Sequence, residues 1–431
     1  MMKITGAVLE EIGRATPYAS SRPISISQLD LDDPQQDEVL VRITASGICH
    51  SDLSVLNGAR PRPVPMLLGH ESTGIVEKLG PGVDDLTVGQ HVTLAFLPRC
   101  GKCSGCLTDG KLPCIPGTAA NTAGTLLGGG IRLHRDGKPV LHHLGVSGFA
   151  DHAVVNRKSV VPVPAELPRE IAAVLGCAVL TGGGAVINAG RPRPGDDVVV
   201  VGLGGVGMSA VLTAAAQGTG EVIAVDANPA KLTEAKEFGA SQAFTPDEAL
   251  SKGLKAPVVI EAAGHPKAFE NAVLYTAPGG TTVTVGLPHP DARSEISPAA
   301  LTGEARTIIG CYLGSAVPAR DIPKYAQMWI DGKLHVEKLI TSKIRLDQIN
   351  EAMDTLAAGN AIRQVIRFDC PAHRVAPVVP SRGDVAGTDP HDVAPAGNRH
   401  RGSTTHLTPH TLGDLIHDDV HPAPPRFRVR L

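Results

Sequence analysis

The stretch Asp197-Val-Val-Val-Val-Gly202-Leu-Gly204-Gly205-Val-Gly207-Met208 decides how the chain folds. Four successive valines favour a strand buried on both faces, because β-branched side chains fit the pleat of a parallel sheet. The spacing G-x-G-x-x-G then permits a tight turn, a close backbone approach to a pyrophosphate, and close packing of the helix expected over 208–217. The next strand, 221–225, runs into Asp226, 19 residues after Gly207. A carboxylate there accepts hydrogen bonds from the hydroxyls of an adenosine ribose and repels a 2′-phosphate, which predicts NAD rather than NADP. Lys231, a helical turn beyond, is a second candidate for the ribose. The apolar run 198–216 has the length of a membrane span, yet four glycines fall within its first ten residues. Strand, glycine turn and helix is therefore the reading.

Outward from this motif, strands at 258–261 and 281–285 alternate with helical stretches, the pattern of βαβ units on a doubly wound parallel sheet. We expect this nucleotide-binding domain over 180–318. Residues 1–179 are instead turn-rich and β-like, with runs such as 38–44 and 74–79 alternating at period two. Residues 319–369 return to a mixed pattern and end in a strand-like segment, 361–368. The expected class is thus α/β, with a parallel-sheet domain inserted between two parts of a β-rich domain. Residues 370–431 hold 9 of the 35 prolines and 7 of the 17 histidines without a sustained apolar period, and we expect disorder there.

Composition narrows the function. The chain has 431 residues, 42% of them hydrophobic and only 12 aromatic, enough for a Val-, Ala- and Leu-filled core in two or three domains. A formal charge of −3 gives no basic footprint for nucleic acid. The N-terminal residues lack the apolar stretch of a secretory signal, so a cytoplasmic location is expected, with no membrane partner.

Six of the eight cysteines group into two sets. Cys100, Cys103 and Cys106 form interlocking C-x-x-C units, and Cys114 follows, which places four thiolates in one loop as a closed tetrahedral zinc site requires. Two disulfides would need an oxidising compartment, and the spacing matches no recognised iron–sulfur pattern. The second set is dispersed: Cys49-His50-Ser51-Asp52, His70-Glu71 and Gly176-Cys177. Two thiolates and an imidazole make a three-ligand zinc site with an open position, and Asp52 is placed to accept the other ring N–H of His70. Cys311 and Cys370 read as free thiols.

These motifs, in this order, resemble the zinc-containing medium-chain alcohol dehydrogenases over about residues 5 to 369. The segments His143-Leu-Gly-Val-Ser-Gly-Phe149 and Gly359-Asn-Ala-Ile-Arg363 look closest to the branch of animal-type alcohol dehydrogenases and glutathione-dependent formaldehyde dehydrogenases. The resemblance implies a GroES-like catalytic domain carrying an inserted Rossmann domain, and a homodimer or homotetramer with contacts near 301–317. It implies two zinc ions per chain: a catalytic one on Cys49, His70 and Cys177, with Glu71 as a transient ligand, and a structural one on the four clustered cysteines. Ser51 would hydrogen-bond the alcohol, whose pKa the zinc lowers before a hydride passes to NAD. His50 and Arg363 would join Gly202, Gly204, Gly205 and Gly207 at the pyrophosphate, and Phe96, His143, Leu144 and Leu287 would line the substrate pocket.

Departures shape the substrate expectation. Ser54 stands where many members carry a proton-relaying His, and Ser is no base near neutral pH. Arg60 stands where the glutathione-dependent branch has an acidic residue, and Ile115-Pro-Gly replaces that branch's Arg. A primary or aromatic alcohol and its aldehyde are therefore expected in place of S-hydroxymethylglutathione. A formaldehyde dehydrogenase using another carrier thiol and a non-catalytic cofactor binder are the alternatives.

Overall fold

A computed structural model describes residues 1–368; the tail 370–431 and Cys370 lie outside the described residues. The valine strand Val198–Val201 occupies the middle of a six-stranded parallel sheet. Across that sheet the strands run Gln242–Phe244, Val222–Val225, Val198–Val201, Ala256–Glu261, Thr276–Thr284 and Thr307–Gly310. The order reverses at the valine strand, and ligands bind in the crevice at such a switch point. Val198, Val199 and Val200 are wholly buried, each contributing about 1.5–3 kcal/mol. Gly207 lets the helix Gly205–Ala216 start against that strand, since a Cβ there would fall 1.8 Å from the Gly202 carbonyl oxygen.

The β-rich part contains two further sheets. A five-stranded closed barrel joins Met2–Leu9, Ile24–Leu31, Leu133–Arg135, Lys138–His142 and Met66–Leu67. A seven-stranded sheet has the order Val160–Pro162, His91–Leu94, Glu71–Leu79, Glu38–Ile48, Arg363–Arg367, Ile340–Ile344, with His152–Asn156 paired to Glu38–Ile48. Two of its strands follow the parallel sheet in the chain, so the α/β unit is an insertion into the β-rich one. Register across Glu38–Ile48 sets the site: Gly47 faces Glu71 on one side and Val365 on the other.

A helix over residues 169–190 packs into the core between these sheets. It is 22 residues long and apolar enough to cross a membrane, but 83% of its most apolar window is buried inside the protein. Gly182 permits its contact with the Gly205–Ala216 helix, where a Cβ would lie 2.2 Å from the Val206 carbonyl oxygen. The helix widens into π turns at Leu175–Val179 and Ala185–Gly190. The first of these carries Cys177, and π turns of this kind recur at functional sites.

Candidate metal and cofactor site

Cys49 ends a strand and caps the helix His50–Leu56, its N–H donating to Asp52 Oδ2 at 3.0 Å. Asp52 is fully buried, and its Oδ1 accepts from the Gly69 N–H at 3.3 Å and lies 3.1 Å from His70 Nδ1. The same oxygen lies 3.1 Å from His143 Nδ1. Against the cost of burial, the two histidines hold the Asp52 carboxyl down at about 2. A carboxylate can only accept, so Nδ1 of His70 carries the proton and Nε2 keeps its lone pair. That Nε2 is buried and has no hydrogen-bond partner among the described residues.

The ligand atoms of Cys49, His70, Glu71 and Cys177 all lie within 4.8 Å of one another, and all four residues are buried. A hydrogen bond between the thiols lowers Cys49 and raises Cys177; burial raises both and Arg363 lowers both. Glu71 starts its strand opposite Gly47, where a Cβ would come within 2.6 Å of Glu71 Oε2. Burial pushes the Glu71 carboxyl up to about 7. Its partner is Arg363, 2% exposed, whose Nη2 lies 3.1 Å from Glu71 Oε1 and 3.6 Å from Cys49 Sγ. Glu71 Oε2 and Arg363 Nε have no hydrogen-bond partner among the described residues. Buried polar atoms are rarely left so, and two thiols, an imidazole lone pair and a carboxylate form a donor set that suits zinc.

The guanidinium of Arg363 also covers the glycine loop, its Cζ 2.5 Å from where a Gly205 Cβ would be. In that loop Gly202 has φ +89°, a value glycine adopts freely, while Gly204 has open space beside it. Asp226 sits at the end of the next strand, accepting from the Leu203 N–H at 2.7 Å and the Asn228 N–H at 2.8 Å. Lys231 is half-buried on the helix Pro229–Glu237, and His50 is exposed on the first turn of its helix. Ser51 Oγ lies 3.9 Å from Cys49 Sγ. Ser54 turns back to donate to the His50 carbonyl at 2.7 Å.

Beside the ligand cluster, Phe96 meets His70 edge-on with ring centroids 5.5 Å apart, and His143 meets it likewise at 5.5 Å. Leu144 is buried, whereas Leu287 is 54% exposed on the parallel-sheet side. Tyr312, edge-on to Phe96 at 6.2 Å, belongs to this wall and carries no periodic or motif signal in the sequence. Arg60 crosses from the β-rich side to donate to the carbonyls of Leu287 at 2.6 Å and Pro288 at 3.1 Å.

The second cysteine set is a separate lobe. The Sγ atoms of Cys100, Cys103, Cys106 and Cys114 lie within 4.8 Å of one another, and Cys100 and Cys106 are 3.8 Å apart, far beyond a disulfide bond. The backbone N–H groups of Cys106 and Ile115 hold the Cys103 thiol down at about 6. Arg99 ties the loop by donating to the carbonyls of Leu112, Gly105 and Cys106. Leu107, Leu112 and Ile115 are exposed, so the lobe has little core of its own, and a metal ion bound by the four thiolates would supply what packing does not. Cys311 is buried, 3.5 Å from Ser315 Oγ.

Comparison with known proteins agrees with this geometry. Residues 35–165 match the alcohol dehydrogenase GroES-like domain family, and residues 205–330 match the zinc-binding dehydrogenase family. Alcohol dehydrogenase B of Mycobacterium tuberculosis is 35% identical over 378 residues, covering 85% of this chain and 99% of that protein. Among solved structures, an alcohol dehydrogenase zinc-binding domain protein from Burkholderia ambifaria is 32% identical with a TM-score of 0.80, over 86% of this chain and all of that one. Benzyl alcohol dehydrogenase from Acinetobacter calcoaceticus is 30% identical with a TM-score of 0.78 at the same coverage. With its GroES-like and Rossmann-type domains and its buried zinc-ligand cluster, the chain belongs to the zinc-type medium-chain alcohol dehydrogenase family.

Proposed function

We propose that this oxidoreductase converts a primary or aromatic alcohol to its aldehyde with NAD, and the reverse, using one catalytic and one structural zinc per chain. The observation that carries the reading is the buried cluster of Cys49, His70, Glu71 and Cys177, which leaves His70 Nε2 without a partner among the described residues, beside the glycine loop. Cys49, His70 and Cys177 would hold the catalytic ion, Glu71 would be its alternate ligand, and Cys100, Cys103, Cys106 and Cys114 would hold the structural one. When bound, zinc acts as a Lewis acid on the alcohol oxygen and NAD accepts the hydride.

The protein's own groups prepare that chemistry. Asp52 fixes the tautomer and orientation of His70. Ser51 receives the hydrogen bond of the substrate hydroxyl. Phe96, His143 and Leu144 exclude water, Tyr312 extends that wall, and Leu287 would join it from the parallel-sheet side. Gly202, Gly204, Gly205 and Gly207, with Arg363 and His50, bind the pyrophosphate. Asp226 and Lys231 take the ribose, and the carboxylate of Asp226 supports NAD over NADP. The likeness to a benzyl alcohol dehydrogenase supports an aromatic substrate. The segments around His143 and Arg363 support a reading near the animal-type branch, and self-association is expected around the edge strand Thr307–Gly310.

Metal content per chain, measured beside NADH absorbance with a panel of primary and aromatic alcohols, tests the reading. Two zinc ions and NAD-dependent oxidation of benzyl alcohol are expected. One zinc and no turnover would make the chain a cofactor binder held by its structural metal.

A further inference from the structure

A cleft of about 180 Å³ lies outside the ligand cluster, where the cysteine lobe meets two helices. Asp109 and Lys111 line it from the lobe, in the stretch between Cys106 and Cys114. Asn188 and Arg191 come from the end of the helix over 169–190, and Arg320, Asp321 and Lys324 from the helix Pro318–Ile330. The lobe is seated closely here: Gly110 has φ +89°, and a Cβ there would fall 2.3 Å from the carbonyl oxygen of Ser315, which also lines the cleft. Arg320 spans the cleft, its Nη1 2.7 Å from Asp109 Oδ1 and its Nε and Nη2 2.6 and 2.8 Å from the two oxygens of Asp321. Both carboxylates of the lining are therefore engaged by one guanidinium. Lys111, Arg191 and Lys324 have no carboxylate partner among the described residues. Arg191 is oriented without being neutralised: its Nε donates to the Asn188 carbonyl at 2.7 Å, and its two terminal nitrogens have no partner among the described residues. Four cations against two carboxylates leave the lining with an excess of two positive charges. A cleft lined by an excess of one sign concentrates the opposite charge, and an anion bound there relieves the repulsion among the cations.

We propose that this cleft binds a small dianionic oxyanion, a phosphate or a short dicarboxylate, held by the Arg191 fork together with Lys111 and Lys324. Volume sets the size of the ligand. About 150 Å³ accommodates a benzene-sized molecule, whereas drug-sized ligands take about 300 Å³ or more, so a nucleotide is too large for this cleft. A planar arginine fork matches either oxyanion, so the probes distinguish the two sources. Lys111 belongs to the lobe and the other two cations to the helices, so the bound anion ties the cysteine loop to the body beside it. This site is separate from the alcohol dehydrogenase reading and does not depend on it.

The test is calorimetric titration of the zinc-loaded full chain with inorganic phosphate, succinate and chloride, at constant ionic strength and with excess NAD to occupy the glycine loop. Phosphate or succinate should bind saturably at a single site per chain, the tighter of the two naming the source, and chloride should not. Arg191→Gln and Lys324→Gln should each weaken that binding by about fivefold, the upper end for one exposed ion pair. Lys138→Gln, on a barrel strand that does not line the cleft, should leave it unchanged. The bound anion should also slow amide hydrogen exchange over 107–112, and Arg191→Gln combined with Lys324→Gln should remove that slowing. No saturable binding of either dianion, binding unaltered in both Gln variants, or binding that leaves exchange over 107–112 unchanged overturns the proposal. Every readout is binding or exchange, so a chain that oxidises no alcohol would overturn the reaction and leave this result standing.

Discussion

Arg363→Met removes the guanidinium paired with Glu71. At 3.1 Å and an effective dielectric of about 20, their attraction is about 5 kcal/mol. Breaking a buried pair from one side commonly costs about 3–5 kcal/mol, because the remaining charge keeps its desolvation penalty. Here the carboxyl has an escape. Its pKa is already pushed up to about 7 with the arginine in place, so at pH 7 the variant's Glu71 takes a proton and the loss stays near the lower figure, about 3 kcal/mol.

This escape has a pH signature. An acid raised above its usual 4.5 makes the folded state hold a proton that the unfolded chain releases. Stability from such a group is full below 4.5 and is lost as pH rises through the folded value, at up to about 1.4 kcal/mol per pH unit. In the parent chain that loss ends near pH 7; in Arg363→Met the folded value is higher and the loss continues. Urea unfolding of zinc-free protein, followed by circular dichroism at pH 7 and 9, should show the gap widening with pH. Glu71→Gln combined with Arg363→Met should recover more than half of it, since no charge is left unpaired. A single variant within about 0.5 kcal/mol of the parent at both pH values, or a double variant no better than the single, would refute the pairing argument.

Ser54→His should raise turnover at pH 7 by up to about 100-fold, the low end of what a placed base supplies, and an unchanged rate removes the idea that Ser54 limits proton release. Asp226→Asn keeps an acceptor for only one of the Leu203 and Asn228 N–H groups and loses the charge, so kcat/KM should shift at least about tenfold toward NADP; an unaltered cofactor ratio denies Asp226 that role. Cys103→Ala should leave one zinc per chain and lower the melting temperature, and two retained zinc ions would contradict the lobe assignment. His142 is 1% exposed and burial, with Arg132 and His134, depresses it from 6.5 to about 3. A depressed histidine costs stability as pH falls from 6.5 toward 3, at up to about 1.4 kcal/mol per unit, and His142→Asn should flatten that slope in acid unfolding curves.

Local chemistry was legible and long-range contact was not. Val198–Val201 announces itself because a buried parallel strand needs an unbroken β-branched run, and the glycines after it have few other uses. The cysteine lobe is read equally well, since its ligands sit within one loop. Gln242–Phe244 and Thr307–Gly310 escaped notice: they are short, neither is fully buried, and neither alternates cleanly. A period of two tells which face a residue takes, never which distant strand lies beside it. The Glu71–Arg363 pair arises from antiparallel registers on both sides of Glu38–Ile48, and His143 reaches Asp52 from another loop. Tyr312 enters the wall from a 3-10 turn after Cys311, with no motif to mark it.

Arg363 then explains why the two chemistries share one place in the fold. The strand Arg363–Arg367 belongs to the β-rich sheet, yet its first side chain reaches the helix that opens the glycine loop. One guanidinium therefore faces the thiol of Cys49, the carboxylate of Glu71 and the turn where a pyrophosphate is expected. A phosphate arriving at Gly205 competes with Glu71 for that charge. Drawing the guanidinium away would free the carboxylate beside the metal ligands, while holding it would keep Glu71 occupied. Cofactor binding and zinc coordination would on this geometry be electrostatically linked through a single buried side chain. Zinc affinity should therefore differ between Arg363→Lys, which keeps the charge without the fork, and Arg363→Met, which keeps neither, and the difference should narrow once NAD is bound. Competition of a chromogenic chelator for the catalytic ion measures it, and equal zinc affinities in the two variants, with and without NAD, would break the link.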